Sequence, residues 1–252
     1  MNRLLITLSF ALNSFYGFSQ TTAVLTFKHA VQTPIGLNEL NKIIYISGTQ
    51  SMEYYIPKKI ANSSEQISET EIREVKVSQS KRQHFVFKDL KLKSLKLADN
   101  IGPKYFLIDD SLNNFKWNIT KKHKKILNYN CTKATINFRG RSYTAWFAES
   151  IPLRFGPWKF SGLPGLILQV SDSENKFDYE LTGIDLKSSF DKNLLNIPLE
   201  YERERFYTHA EFIEIYNKKV ADYKAMSKVV HTFPNGGTGK TAIILPENQE
   251  KY

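Results

Sequence analysis

Side chains able to do chemistry are few in this chain, and they are scattered. The five histidines, at positions 29, 84, 123, 209 and 231, share no metal-ligand spacing, and neither an HExxH helix nor a GxSxG elbow occurs. Cys131 and His123 are the one thiol–imidazole combination, but two strand positions eight residues apart do not normally face each other. Asp172, Glu174 and Asp178 gather around Asn175, which is ordinary hairpin chemistry with a calcium site as the competing reading. The run 234–241 ends in Gly-Lys-Thr. However, proline stands at 234 where a phosphate loop needs its first glycine, and Pro246 follows soon after, so the segment reads as a glycine-rich turn that binds no nucleotide. No cofactor and no metal is called for. What remains is recognition chemistry. Arg141 offers a planar guanidinium for a carboxylate, and Trp146, Phe155, Trp158, Phe160 and Leu163 could form an apolar lip over a cavity. The competing reading makes the same residues fold determinants, with the tryptophans packed and Arg141 holding a carboxylate of the chain itself.

The elements that must position these residues are mostly strands. Period-two alternation runs from about 23 to 186, the mark of half-buried antiparallel strands. It is clearest at 176–182, where Phe177, Tyr179 and Leu181 face one way and Asp178, Glu180 and Thr182 the other; the parity then shifts at Gly183, predicting a bulge or bend. Further strands are expected at 24–31, 42–46, 51–56, 73–77, 83–89, 105–109, 115–120 and 126–138. Lys121 to Lys125 should form a solvated hairpin tip, and the polar stretch 61–70 a loop or short frayed helix. Leu166, Ile167, Leu168 and Val170 make a continuous apolar run, a buried central strand. It leaves a proline–glycine turn, Pro164-Gly165, of type II with positive φ at Gly165. One helix is expected from about 209 to 226. Thr208 and Glu211 make its capping box, Tyr207 and Phe212 its staple, and Phe212, Ile213, Tyr216, Val220 and Tyr223 its apolar stripe, with His209 on the same stripe as a satisfied histidine.

The N-terminus carries an address. Arg3, a short apolar run from Leu4 to Leu12 and the small-x-small Gly17-Phe18-Ser19 predict a signal peptide over 1–19, cleaved to leave Gln20 first. That places residues 20–252 in the periplasm or outside the cell. The run is too short to span a bilayer. Cys131 is the lone cysteine, so no disulfide can form within the chain, and the thiol is expected to be buried. The net charge of +10 is spread among alternating segments, which argues against nucleic acid as a partner and suits solubility or anionic envelope partners.

The segment from Cys131 to Val170 resembles the GLPGLI family of exported Bacteroidetes proteins. The resemblance rests on Gly162-Leu163-Pro164-Gly165-Leu166-Ile167, with Trp117-Asn118-Ile119, Cys131, Gly140-Arg141, Ala145-Trp146-Phe147 and Ile151-Pro152 upstream. It covers most of 24–190; beyond Ile197 the chain departs from the pattern. It implies an exported envelope protein and brings no catalytic residue with it.

The expected fold is therefore mainly β (α+β), a single domain with a large twisted antiparallel sheet or half-barrel and a C-terminal helix packed on it. The expected function is that of a non-catalytic binding or carrier module for an apolar or amphipathic ligand. The rival readings are an accessory or scaffold subunit of an outer-membrane assembly and, third, a peptide or glycan hydrolase.

Overall fold

The computed structural model describes residues 21–34, 36–56, 82–102, 104–112, 115–226, 230–232, 238–240 and 248–251. The signal segment, the expected loop at 61–70, the strand expected at 73–77 and most of the glycine-rich run at 234–241 lie outside these residues.

Twelve strands form one sheet. Six come first: β1 (Thr22–Thr33), β2 (Gly36–Ser47), β3 (Gln50–Ile56), β4 (Phe85–Asp89), β5 (Ser94–Ile101) and β6 (Lys104–Ser111). Five follow: β7 (Asn118–Ile126), β8 (Tyr129–Phe138), β9 (Arg141–Ala148), β10 (Leu166–Asp172) and β11 (Phe177–Asp185). Two 3-10 turns, Lys192–Leu195 and Leu199–Tyr201, lead to β12 (Phe206–Thr208) and helix α1 (His209–Met226). The spatial order is β12-β6-β5-β4-β3-β2-β1-β11-β10-β9-β8-β7, so two antiparallel meanders meet where β1 pairs with β11. The β12–β6 pair is parallel, which makes the sheet mixed. A separate two-stranded ribbon joins β13 (Val230–Thr232) and β14 (Thr238–Lys240).

The connection from β6 to β7 dictates the overall shape. Laid flat, ten interstrand gaps would separate these strands by about 48 Å, whereas the residues from Ser111 to Asn118 reach at most about 25 Å when fully extended. The sheet must therefore curl, and side-chain contacts confirm it: Asp110 on β6 meets Arg139 in the β8–β9 turn at 2.7 Å. The result is an open half-barrel whose concave face holds the main core, including Leu25, Phe27, Ile44, Leu97, Phe106, Phe147 and Val170. A smaller core around Met52, Phe85, Leu107 and Tyr201 forms where the segment from Phe190 to Phe206 covers the opposite face of the first meander.

Several sequence expectations hold. Phe177, Tyr179 and Leu181 are buried against exposed Glu180 and Thr182, and the β1–β11 register slips opposite Thr182 and Gly183. Thr208 and Glu211 exchange the two capping-box hydrogen bonds, with Thr208 N donating to Glu211 Oε2 at 2.7 Å and Glu211 N donating to Thr208 Oγ1 at 3.2 Å. Cys131 is buried.

Two expectations are overturned. Lys121 to Lys125 are not a hairpin tip but part of β7, and the turn falls at Leu127 and Asn128. Because β7 is the edge of the sheet, its lysines are hydrated without leaving the strand, and charge on an edge discourages pairing with a foreign strand. Nor does Gly165 take a positive φ; Gly162 does, at +91°. Glycine is needed at 165 because a Cβ there would stand 2.1 Å from the carbonyl oxygen of Ala148. Helix α1, for its part, packs at the β6 side through Phe212, which meets Phe106 at 5.8 Å, and it leaves the rest of its stripe only half-buried.

Candidate functional site

The concave face is filled by the chain itself. Residues 149–165, between β9 and β10, fold into a narrow hairpin: Phe155 and Ser161 bridge antiparallel, Gly162 N donates to the carbonyl of Arg154, and Phe160 N donates to that of Pro157. This plug puts Phe155, Phe160 and Leu163 at 1 % exposure or less and Trp158 at 8 %. Phe160 is its hub, with ring centroids 4.8 Å from Tyr143, 5.2 Å from Trp158 and 6.0 Å from Trp117. At the mouth, Phe115 stacks on Phe138 at 4.9 Å and on Trp117 at 6.2 Å, all three half-buried.

The tip of the plug crosses the interior and is held by charges on the far wall. Lys88, wholly buried on β4, donates from Nζ to the carbonyls of Gly156, Trp158 (2.7 Å) and Phe160 (3.4 Å). Glu53 on β3 accepts the N–H of Trp158 at 2.6 Å and pairs with Lys42 on β2 at 2.6 Å, both side chains being 2 % exposed. Burial, helped by neighbouring Lys42 and opposed by Glu53, pushes the Lys88 ammonium down to about 8. Burial alone would also lower Lys42, but Glu53 and the Tyr179 and Tyr55 oxygens hold it above its ordinary value. Gripped at both ends of its backbone, Trp158 sits at φ +51°, a left-handed conformation that a bulky residue adopts at a cost of about 1–3 kcal/mol.

A second set of charges lines the rim, between the β8–β9 turn, the tip of the plug and the start of α1. Arg139 makes a two-pronged pair with Asp110, at 2.7 and 2.8 Å. Lys159 bridges Asp110 (3.0 Å) and Glu250 (2.5 Å). Glu250 also meets Arg139 at 2.7 Å and His209 Nε2 at 2.7 Å, and is itself 2 % exposed. Burial works against both carboxylates, yet the cations prevail: Arg139 and Lys159 bring Asp110 to about 2, while Lys159, His209 and Arg139 hold Glu250 far below the usual range. The donor atoms of Asp110, His209 and Glu250 lie within 4.8 Å of one another, a spacing that suits a metal ion. Lys159 and Arg139 already supply the positive charge there, so a metal would have to displace them.

Next to the rim, Arg141 is buried against Asp172 (3.0 Å) and Glu174 (2.9 Å). Asp172 accepts in addition the backbone N–H groups of Glu174, Lys176 and Phe177, which makes it a turn-organising residue. Of the residues singled out from sequence, the structure thus brings Phe155, Trp158, Phe160 and Leu163 together in the plug and puts Arg141 beside the rim on Asp172 and Glu174. Trp146 is elsewhere: strand alternation turns it to the face opposite Tyr143 and Ala145, where the Lys124 ammonium lies 4.5 Å over its ring. A polar cleft of about 520 Å³, lined by Lys116, Asn118, Thr135, Asn137, Ser142 and Thr144 among others, opens beside β7–β9.

Sequence reasoning missed Lys42, Glu53, Lys88, Asp110, Arg139, Lys159 and Glu250. A signal was present for the strand residues. Lys42 shares its parity with Ile44 and Ile46, Lys88 with Val86, and Asp110 with Phe106 and Ile108, so each is a charge on the inward face.

Comparison with known proteins fits this geography. A family model described as "Protein of unknown function (Porph_ging)" matches residues 137–169, which run from the end of β8 through the Arg139 turn, β9 and the whole plug into β10. A search of curated proteins returns no match. Among solved structures, PNGF-II in its P21 crystal form is similar with a TM-score of 0.50 at 15% identity, over 79% of this chain and 34% of that one. Its C2 form gives 0.51 at 14%, over 86% and 39%. This chain thus spans well under half of PNGF-II, and the likeness is one of fold. A LolA superfamily protein from Nitrosomonas europaea aligns over 71% of this chain and 92% of its own with a TM-score of 0.32 at 9% identity. Among the described residues no helix is long and apolar enough to cross a membrane.

Proposed function

We propose that this chain is an exported, GLPGLI-type binding module of the cell envelope, which holds an apolar or amphipathic ligand without transforming it. The observation that carries this reading is the aromatic mouth of the half-barrel. Phe115, Trp117 and Phe138 are stacked but only half-buried, over a plug whose aromatic hub they extend, at the gap between the two edges of the sheet. Aromatic rings left partly open around an apolar floor form a surface for an acyl chain or an apolar peptide side chain. The plug itself occupies the interior, so the ligand lies on the mouth with Phe160 and Trp158 as its floor; Arg141 serves the structure through Asp172 and does not face the ligand. No arrangement of nucleophile, base and oxyanion donors accompanies the mouth among the described residues, which separates this reading from that of a hydrolase.

Tryptophan emission is the direct test. Titration with palmitate and with lysophospholipid below their micelle concentrations should give a saturable change. Trp117→Ala and Phe138→Ala, chosen for keeping the wild-type melting temperature, should abolish it. A wild-type protein whose emission stays flat with every apolar probe overturns the proposal.

A further inference from the structure

Glu250 is among the most deeply buried acids among the described residues, yet it belongs to no sheet strand and no helix. It arrives with the short stretch from Asn248 to Lys251, which bends at Gln249 and Glu250 and is gripped through its backbone along the rim. The Tyr143 hydroxyl donates to the carbonyl of Gln249 at 2.5 Å, Arg141 Nη2 donates to the carbonyl of Asn248 at 3.1 Å, and Lys251 N donates to the carbonyl of Arg139 at 3.0 Å. These contacts recognise any peptide. The contacts that select are those of the Glu250 carboxylate with Arg139, Lys159 and His209.

Charge shows that the pocket requires an anion. Asp110 and Glu250 are the carboxylates in direct contact with Arg139 and Lys159 among the described residues, so without Glu250 a buried ammonium would lack one of its two partners. The fit beside it is imperfect. Gln249 meets Tyr179 and His29 through Nε2, and neither its Oε1 nor the Nδ1 of His29 has a hydrogen-bond partner among the described residues. The segment has no strand or helix of its own and is seated by its backbone and one carboxylate, contacts that a separate peptide of the same chemistry could make.

We infer that the rim is a receptor for an acidic peptide of a partner protein, with the pocket of Arg139, Lys159 and His209 taking a glutamate side chain, and that residues 248–251 occupy it in cis as a tethered competitor. A tethered occupant acts at an effective concentration in the millimolar range, so a free peptide meets the wild-type protein at a large disadvantage. The inference is independent of the apolar ligand proposed above, since the carboxylate pocket and the aromatic mouth are probed by different molecules.

The test uses a fluorescein-labelled peptide Asn-Gln-Glu-Lys-Tyr and its Asn-Gln-Gln-Lys-Tyr counterpart. Each is titrated by anisotropy into the full chain, into the full-length Glu250→Gln variant and into a chain ending at residue 247, all checked by near-ultraviolet circular dichroism. The expected result is binding of the glutamate peptide to both altered proteins at least about tenfold tighter than to wild type, with the glutamine peptide weakened by a similar factor. Equal binding by all three proteins, or equal binding of the two peptides, overturns it. So does displacement by free glutarate as effective as by the peptide, which would make the pocket a site for any small carboxylate. Failure of both altered proteins to fold overturns it as well, because the segment would then be a structural lock.

Discussion

The plug tip and the rim are built from the same kinds of side chain and differ in how they are closed. At the tip, Lys42, Glu53 and Lys88 all come from neighbouring strands of one meander, and their partner is backbone of the plug. The whole arrangement is inaccessible, and it can be opened only by withdrawing the hairpin from the core. At the rim, Asp110, Arg139, Lys159 and His209 come from four separate elements, Arg139 is 24% exposed, and the last member arrives on a short remote segment. Burial on its own does not make an electrostatic cluster permanent; what matters is how much structure must move before water reaches it. By that measure the tip is a fastening and the rim is a latch.

That contrast can be broken at several points. The largest effect is expected for Glu53→Ala, which leaves two buried lysines without a counter-charge and strips the N–H of Trp158. Loss of one member of a buried pair costs about 3–5 kcal/mol, seen as a fall in the urea midpoint. Gly165→Ala should follow at about 3 kcal/mol, because a Cβ at 2.1 Å from Ala148 O forces backbone to move. Glu250→Gln should cost less, about 1–3 kcal/mol, since the freed cations can be hydrated once the segment lifts. If Glu250→Gln proved as damaging as Glu53→Ala, the distinction between fastening and latch would fail.

The two clusters should both lose stability as the pH falls, but in separate windows, the tip in mild alkali and the rim in acid. Lys88 is depressed to about 8 in the folded state from 10.5, so the unfolded chain binds the extra proton between those values and stability rises with pH across that window. The full effect is about 3 kcal/mol, and Lys88→Met should flatten that slope in melts between pH 8 and 10. Glu250 and Asp110 are depressed carboxylates. Their contribution is complete above about pH 4.5 and is lost as acid takes the pH down toward their folded values, so the 248–251 segment should become protease-sensitive first in acid. The smallest change is expected on the face of the sheet opposite the plug, where Lys124→Ala removes an exposed cation from the Trp146 ring and should shift stability by no more than about 1 kcal/mol.

Most of the architecture was legible because strands advertise themselves locally. The alternation at 176–182 placed β11 and its bulge, and Thr208 with Glu211 placed the start of α1. The site was far less legible, for reasons that are also physical. Gly162 and Gly165 look interchangeable in a turn, and only the distance to Ala148, set by β9 across the hairpin, decides which one needs its φ and which its missing side chain. Lysines in a strand look like hydrated edge residues until the curl of the sheet is known. Lys124 lies at an edge, whereas Lys88, with an equally polar side chain, reaches three carbonyls at the centre. Glu250 carried no local signal at all, since its partners are 91 or more residues away along the chain for Lys159 and Arg139, and 41 away for His209.

The seam between β1 and β11 has a consequence for how the chain folds. Within each meander every strand pairs with its sequence neighbour, so those contacts close loops far shorter than the one the seam closes and can form earlier. The seam, however, joins Val24–Val31 to Phe177–Asp185, and this pairing must close a loop of most of the protein before it yields a single backbone hydrogen bond. High contact order of this kind slows the final step to milliseconds or seconds. Until that step is complete, the two long central strands β1 and β11 each present an unpaired edge, so the interval before the seam closes is when this protein is most exposed to pairing with another copy of itself.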